Sequence, residues 1–580
     1  MKEEWVFPVH RDDTLRDEIA GRLDLSPVTA SALLARGVAS VPAARSFLSP
    51  SLDDLINPAL LPDMEKAVDA ICRHARDNSR IVIYGDYDAD GLCAMTMLMQ
   101  FLRLAGLDPS HYVPERVEEG YGVHSDALRK LRAEGAGLVI TADCGISSVA
   151  EAALAREIGL ELVITDHHEP SSVLPDAAAV VNPKIAGSAY PFKELAGVGV
   201  AFKLVWALAE RFSHGRETDP QFRKFLLDSM ALVAIGTIAD VVPLVSENRV
   251  FAKFGLEALR YSQLPGLQAL MRQCQLIDRE LDTDSVSYKL GPRLNVAGRM
   301  ASADLAMRLL MTDSFSEGER IAQELEELNK ERQRIQREIM DSARLKIASE
   351  RRQDDYVCVL ADEHWPAGII GIVASHLVEE FYRPTVLISL DGALGRGSAR
   401  STPALNIIEA FATCRRYLVS FGGHAQAAGV TISREHIDAF RADLNAYAKT
   451  RLSPDDFRPK LAVDAEVLLN SLSRDFVDEL ARLAPFGQGA PEVVLVARGV
   501  QLAGRPRRVG TSGKHLAVHL SQGGTAFRSI GFGMGELAEK LPDGRGTFHV
   551  AFTPGINTFN GRSDVELRIK DVEIPTEGRA

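Results

Sequence analysis

The sequence predicts an α/β protein in which a parallel-sheet domain and a smaller α/β domain are joined by a long helix and followed by a C-terminal OB-like β-barrel. Three observations lead there. Apolar runs Ile81-Val82-Ile83-Tyr84, Leu138-Val139-Ile140 and Leu162-Val163-Ile164 alternate with helix-like patches between about 80 and 190, the pattern of buried parallel strands with crossover helices. From about 316 to 352 the text is rich in Glu, Lys, Gln, Arg and Leu, with no Pro and no Gly after Gly318. That composition marks a helix of roughly 50 Å, enough to hold two domains apart and leave a groove. After about 453, short alternating segments at 493–497, 515–520, 548–552 and 565–569 predict a small barrel.

In chain order, residues 1–60 read as a helical lead with turn signals at Ser26-Pro27 and Ser49-Pro50 and no readable chemistry. Residues 61–313 carry the parallel sheet and 314–353 the connecting helix; 354–452 hold the second α/β domain and 453–580 the barrel. A chain of 580 residues, 46% hydrophobic, exceeds the single-domain range and has ample core material. No apolar run approaches the ~20 residues needed to span a bilayer, and the start lacks a signal peptide's order, so the cytoplasm is expected. The six cysteines are scattered without CxxC spacing, which argues against zinc ribbons and disulfide frameworks; Cys144 reads as a packing residue.

Four acidic segments carry the chemistry: Asp86-Tyr87-Asp88-Ala89-Asp90, Thr141-Ala142-Asp143, Asp166-His167-His168 and Ile238-Ala239-Asp240. Three of them close apolar runs, and the carboxyl ends of strands form the crevice where open α/β sheets bind ligands. Any one Asp alone is as well explained by helix capping or a turn. Together, convergent acids oppose joint ionisation unless cations neutralise them. Carboxylates with one imidazole suit Mn²⁺ or Mg²⁺, and so many acids imply two ions about 3.5–4 Å apart. Such a pair activates water and stabilises a leaving phosphoester oxygen, so no Ser or Cys nucleophile is needed. The ligand set expected is Asp86, Asp88, Asp90, Asp143, His167 and Asp240, with Asp143 bridging; Asp166 orients a neighbouring imidazole and His168 contacts the scissile phosphate.

The series DYDADG, TADCG, DHH and GTIADVVPL resembles the DHH phosphoesterases, and GRGSARS and GGHAQAAG resemble their DHHA1 companion domain. With the N-terminal segment, GPRLNVAGRM and the β-rich tail, the likeness covers nearly the whole chain and narrows to the family's bacterial single-strand-specific 5′→3′ exonucleases. The resemblance implies hydrolysis of unpaired DNA to 5′-mononucleotides in repair and recombination. It also implies phosphate contacts from Ser398, Arg400 and His424, with Gly422 and Gly423 letting backbone approach, and from Arg116, Arg293 and Arg299. An Arg in a Gly-Pro-Arg-Leu-Asn loop suits phosphate recognition, and the glycine-flanked stretch from Gly395 to Ser401 combines flexible backbone with guanidinium and hydroxyl donors.

A net charge of −13 does not exclude a polyanionic partner, because the local field decides. Positive clusters stand at Arg293 and Arg299, at Arg396 and Arg400, and at Arg505, Arg507, Arg508 and Lys514. The last group is expected to track single strands on the barrel; Phe527, Phe532 and Phe559 read as barrel core. Partners expected are single-stranded DNA and, by resemblance, a single-stranded-DNA-binding protein and a RecQ-type helicase, with the chain itself a monomer. The competing readings are a small-molecule phosphodiesterase or pyrophosphatase, which needs no barrel, and a non-catalytic nucleic-acid scaffold, whose acidic motifs would be decayed. A sugar-nucleotide binder ranks lowest, for no G-x-G-x-x-G follows the first strand.

Overall fold

The computed structural model describes residues 3–7, 13–115, 119–213, 218–350, 352, 354–542, 546–559 and 562–575. The chain divides into two compact units, Leu52–Phe457 and the pair Met1–Ser51 with Arg458–Ala580.

In the first unit, strands β1 (Arg80–Gly85), β2 (Ser110–Tyr112), β3 (Ala136–Ala142), β4 (Glu161–Thr165) and β5 (Ala179–Val181) form one sheet. Their order is β2-β1-β3-β4-β5 and every pairing is parallel. β1 is buried after its first residue and β3 almost throughout, as expected of a parallel sheet covered on both faces. Helix α1 (Ala89–Leu104) leaves the end of β1 and is buried along most of its length, packing against α2 (Gly197–Phe212) and α3 (Pro220–Ala239). The strand order reverses between β1 and β3, the switch point at which doubly wound sheets open a ligand crevice.

The Gly-Pro-Arg-Leu-Asn segment is not the expected loop. It forms helix α4 (Gly291–Met300), entered through a π-helical turn at Ser285–Leu290. Pro292 stands in the first turn of α4, where a fixed φ suits the helix, and the amide of Gly291 before it donates to Val286 O in the π-helical turn. Helix α5 (Phe315–Ser349) runs 35 residues, or about 50 Å, with Ser314 Oγ accepting from Glu317 N at its start. It is anchored along its length: it packs on α4, and towards its C-terminus Ile339, Met340, Ala343 and Ile347 enter the core of the second α/β domain.

That domain contains β6 (Cys358–Asp362), α6 (Ala367–Phe381), β7 (Thr385–Asp391), β8 (Leu394–Arg400), β9 (Leu418–Gly423) and β10 (Ala427–Ser433), in the order β9-β10-β8-β7-β6. The expected flexible Gly395–Ser401 segment is therefore mostly the regular strand β8. Its glycines serve packing: a Cβ at Gly395 would sit 2.6 Å from Ile388 Cγ2, and one at Gly397 2.5 Å from Val430 Cγ1.

In the second unit, β11 (Ala465–Glu466), β12 (Leu495–Leu502), β13 (Arg507–Val509), β14 (His515–Gln522), β15 (Thr525–Gly531), β16 (Phe548–Phe559) and β17 (Arg562–Glu573) run in the order β11-β12-β16-β17-β15-β14-β13. A further β12–β14 pairing closes five strands into a ring, as in an OB barrel. The N-terminal helices belong to this unit. Pro27 opens the helix Pro27–Ala35, with Ser26 as its cap rather than a free turn, and Glu479 accepts from both Ser26 and Thr29.

Candidate active site

Asp86 follows β1 and Asp143 follows β3, so the two stand on either side of the switch point. Asp166, His167 and His168 follow β4, and Asp240 caps the C-terminus of α3. These ends converge into three donor groups, each with ligand atoms within 4.8 Å of one another: Asp86, Asp88 and Asp143; Asp143, His167 and His168; and Asp90, His167 and Asp240. Asp143 and His167 each belong to two groups. His167 Nε2 lies 3.2 Å from Asp143 Oδ1 and 3.6 Å from Asp240 Oδ2.

Local structure holds each acid in place. Asp88 caps α1, its Oδ1 accepting from the amides of Asp90 and Gly91, so capping and membership of the acid cluster coexist in one side chain. Asp90 takes the first amides of α2, Gly197 N at 2.7 Å and Val198 N at 3.0 Å, where the helix dipole favours negative charge. Asn295 Oδ1 on α4 accepts from Ala89 N at 2.6 Å and pins the acid loop from outside. Asp143 itself has a φ of +65°, in the left-handed region that aspartate enters more readily than most non-glycine residues.

The electrostatics follow from burial. Asp90 is pushed up to about 7 by burial and by Asp88. Asp143 and Asp240 rise well above the usual carboxylate range, through burial and then the neighbouring acids. His167 falls to about 3, mainly through burial, and its ring bonds the Leu195 backbone. It is therefore a neutral imidazole at pH 7, the form that ligates a metal. Burial is the largest single influence on His168 and opposes its charge, yet the hydrogen bond to Asp166 together with the negative charges of Asp166, Asp240 and Asp86 outweighs it and raises the group to about 9. Asp166 Oδ1 accepts from His168 Nδ1 at 2.8 Å and from the amides of His167 and His168, while Oδ2 accepts from Ile146 N.

Does this donor set fit divalent metal? Among the described residues, Asp143 Oδ1 and His167 Nε2 are buried with no hydrogen-bond partner. Such orphaned acceptors are costly unless something completes them. Oxygen donors with one imidazole and mutually repelling carboxylates fit hard divalent cations.

Residues 80–237 match the DHH family N-terminal domain, 354–450 the DHHA1 domain and 463–571 the RecJ OB domain. The chain is 38% identical over 575 residues to the single-stranded-DNA-specific exonuclease RecJ of Bacillus subtilis, covering 99% of this chain and 71% of that protein. This chain belongs to the RecJ family. Its fold matches the crystal structure of RecJ with Mn²⁺ from Thermus thermophilus at a TM-score of 0.84 and 30% identity, covering 99% of this chain and 80% of that one. The Mg²⁺ complex of the Thermus protein matches at 0.78 and 28%, covering 99% and 79%.

Within this RecJ-family frame, the expected phosphate-binding residues divide. Arg396, Ser398 and Arg400 alternate along β8 and share one face. Arg400 Nη1 donates to Ser398 Oγ at 3.0 Å, and both side chains meet the first turns of α6, where a Cβ on Gly371 would be 3.0 Å from Ser398 Oγ. Arg299 reaches the same helix start, donating to Gly368 O at 3.2 Å. Gly422 pairs with Gly429, which pairs with Ser398, so Gly422 stands two strands away, about 10 Å. Gly423 and His424 form the exposed end of that hairpin. Gly423 has a φ of +135°, and a Cβ there would strike Ala427 O at 2.4 Å, so its glycine is required by the turn itself.

Arg293 points to α5, where its guanidinium pairs with Glu326 at 2.6 Å and donates to Lys289 O, binding the two helices together. Arg116 lies outside the described residues, as does the Phe559 side chain. Arg505, Arg507, Arg508 and Lys514 are exposed around edge strand β13, with Arg508 paired to Glu539. Phe532, expected as core, is 56% exposed beside His515. Sequence reasoning passed over Asn295, Gly197 and Gly236, whose roles exist only in three dimensions, and Tyr121, whose hydroxyl lies 3.0 Å from His168 Nδ1.

Proposed function

We propose that this chain is a single-strand-specific DNA exonuclease that hydrolyses phosphodiester bonds 5′→3′ and releases 5′-mononucleotides in repair and recombination. The observation that carries the reading is the convergence of three donor groups through Asp143 and His167 at the switch point. Asp86, Asp88, Asp90, Asp143, His167 and Asp240 would hold two divalent ions, Mn²⁺ or Mg²⁺. Bound there, such ions make water nucleophilic near neutral pH and stabilise both oxygens of an in-line displacement.

The chain's own residues supply the rest. His168, kept protonated by Asp166, offers positive charge to the scissile phosphate. Neutral His167 presents Nε2 to the metal side while the Leu195 backbone fixes its ring. Ser398 and Arg400 receive a 5′-terminal phosphate against the start of α6, which Arg299 also contacts at Gly368. Gripping the 5′ end beside the acids restricts cleavage to the terminal nucleotide and sets the direction. The barrel's exposed arginines and Lys514 would track the strand, with affinity falling steeply as salt rises.

A cytoplasmic setting and contacts with a single-stranded-DNA-binding protein and a RecQ-type helicase belong to the same proposal. Among the described residues no helix is long and apolar enough to cross a membrane. The test is incubation with Mn²⁺ and end-labelled single and duplex strands, with and without 5′-phosphate. Mononucleotides from the 5′ end of unpaired DNA support the proposal; turnover of dinucleotides or pyrophosphate alone contradicts it.

A further inference from the structure

Tyr288 is 74% exposed, and it sits in the π-helical turn Ser285–Leu290 that leads into α4. A π-helical turn is a costly local geometry that recurs at functional sites. The turn packs on α3, and Gly291 at its end approaches the Ala239 side chain, 3.3 Å from where its own Cβ would be. Ala239 immediately precedes Asp240. Beyond Asp240, Val241 is 64% exposed and has a φ of +61°, so two large apolar side chains face solvent at this junction.

Helical spacing gives the direction. Tyr288, Pro292, Asn295 and Arg299 follow one another by four, three and four residues and lie on one flank, while the turn's buried positions Val286 and Leu290 face the core. Along that flank Arg299 contacts the start of α6 and Asn295 contacts the acid loop at Ala89. Tyr288 is the next element of the series, about 10 Å beyond Asn295 on the side away from α6. A strand whose 5′ end lies against α6 and whose first phosphodiester lies over the acids continues past Tyr288 on its 3′ side.

We infer that Tyr288 is a substrate-positioning residue, a stacking platform for an unpaired base that lies beyond the first nucleotide 3′ of the scissile bond. The inference rests on the exonuclease reading. An aromatic ring accepts any base, which suits a nuclease without sequence preference, but needs that base unstacked from a complement. The platform therefore favours single strands over duplex.

The test compares the full-length chain with its Tyr288→Ala and Tyr288→Trp variants on an oligodeoxythymidine of ten or so residues and on the 5′-phosphorylated dinucleotide pTpT, in Mn²⁺. Tyr288→Ala is expected to raise KM on the long strand about 5- to 100-fold, as loss of one base stack implies, with kcat unchanged and pTpT turnover unaffected. Tyr288→Trp is expected to restore KM. Unchanged KM for Tyr288→Ala, equal losses on both substrates, or failure of Trp to rescue would overturn the inference. Binding of strands carrying 2-aminopurine, read by its fluorescence, tests stacking without turnover. Lack of cleavage by the unaltered chain would instead count against the exonuclease reading, while equal quenching by wild type and Tyr288→Ala would sink the platform alone.

Discussion

Gly197 lies so close to Asp143 that a Cβ at position 197 would be 2.4 Å from Asp143 Oδ1. The same residue's amide holds Asp90 at 2.7 Å, so one glycine at the start of α2 fixes two of the acids. Gly236 repeats the relationship from α3, where a Cβ would meet Asp90 Oδ1 at 2.5 Å. Gly197→Ala is expected to displace Asp143 and to lower kcat/KM by about 100-fold, since ångström shifts of catalytic groups have that effect. Overpacking should cost stability about 1–3 kcal/mol. Strand hydrolysis together with Mn²⁺ titration calorimetry checks this, and near-normal metal affinity would argue against it.

Removing Asn295 should act on the acid loop from a distance. Asn295→Ala leaves Ala89 N without its acceptor, a loss of about 1–3 kcal/mol if the amide stays dry. The expected outcome is a lower melting temperature and weaker metal binding. A melting temperature equal to wild type would show that water replaces the side chain.

The metal-free protein should lose stability as pH rises. Asp90 moves from an ordinary 3.8 to about 7 on folding, with burial the main cause, and Asp143 and Asp240 shift in the same direction. The folded state thus keeps protons that the unfolded state releases. This contribution is fully present below about 3.8 and is lost as pH passes through about 7. Melting in EDTA is expected to occur at lower temperature at pH 8 than at pH 5.5, and Mn²⁺ should remove most of that difference. A flat profile in EDTA would contradict the upward shift of these buried acids.

The β8 wall predicts a dependence on the 5′ end. Arg400→Ala or Ser398→Ala should raise KM for a 5′-phosphorylated strand about 10- to 100-fold, the scale of a hydrogen bond to a charged group, and leave a 5′-hydroxyl strand little changed. Equal effects on both strands would place these side chains elsewhere on the DNA path.

Three of the four acidic segments were legible because each closes an apolar run that reads as a buried strand, whose carboxyl end is where such sheets bind ligands. The long helix was legible from composition alone. The ion pair of Arg293 was not legible because its partner, Glu326, is 33 residues away on another helix and nothing local announces the pairing. The glycines of β8 read as flexible when neighbouring strands in fact cover them. Pairing of the first 51 residues with the C-terminal unit depends on contacts such as Ser26 with Glu479, 453 positions apart, which no periodicity announces.

Crystals soaked in Mn²⁺ and measured at the manganese absorption edge test the central claim most directly. The account predicts two anomalous peaks about 3.5–4 Å apart among Asp86, Asp88, Asp90, Asp143, His167 and Asp240, with Asp143 touching both. Absence of any peak there, or a single ion that leaves Asp143 and His167 uncoordinated, would contradict it.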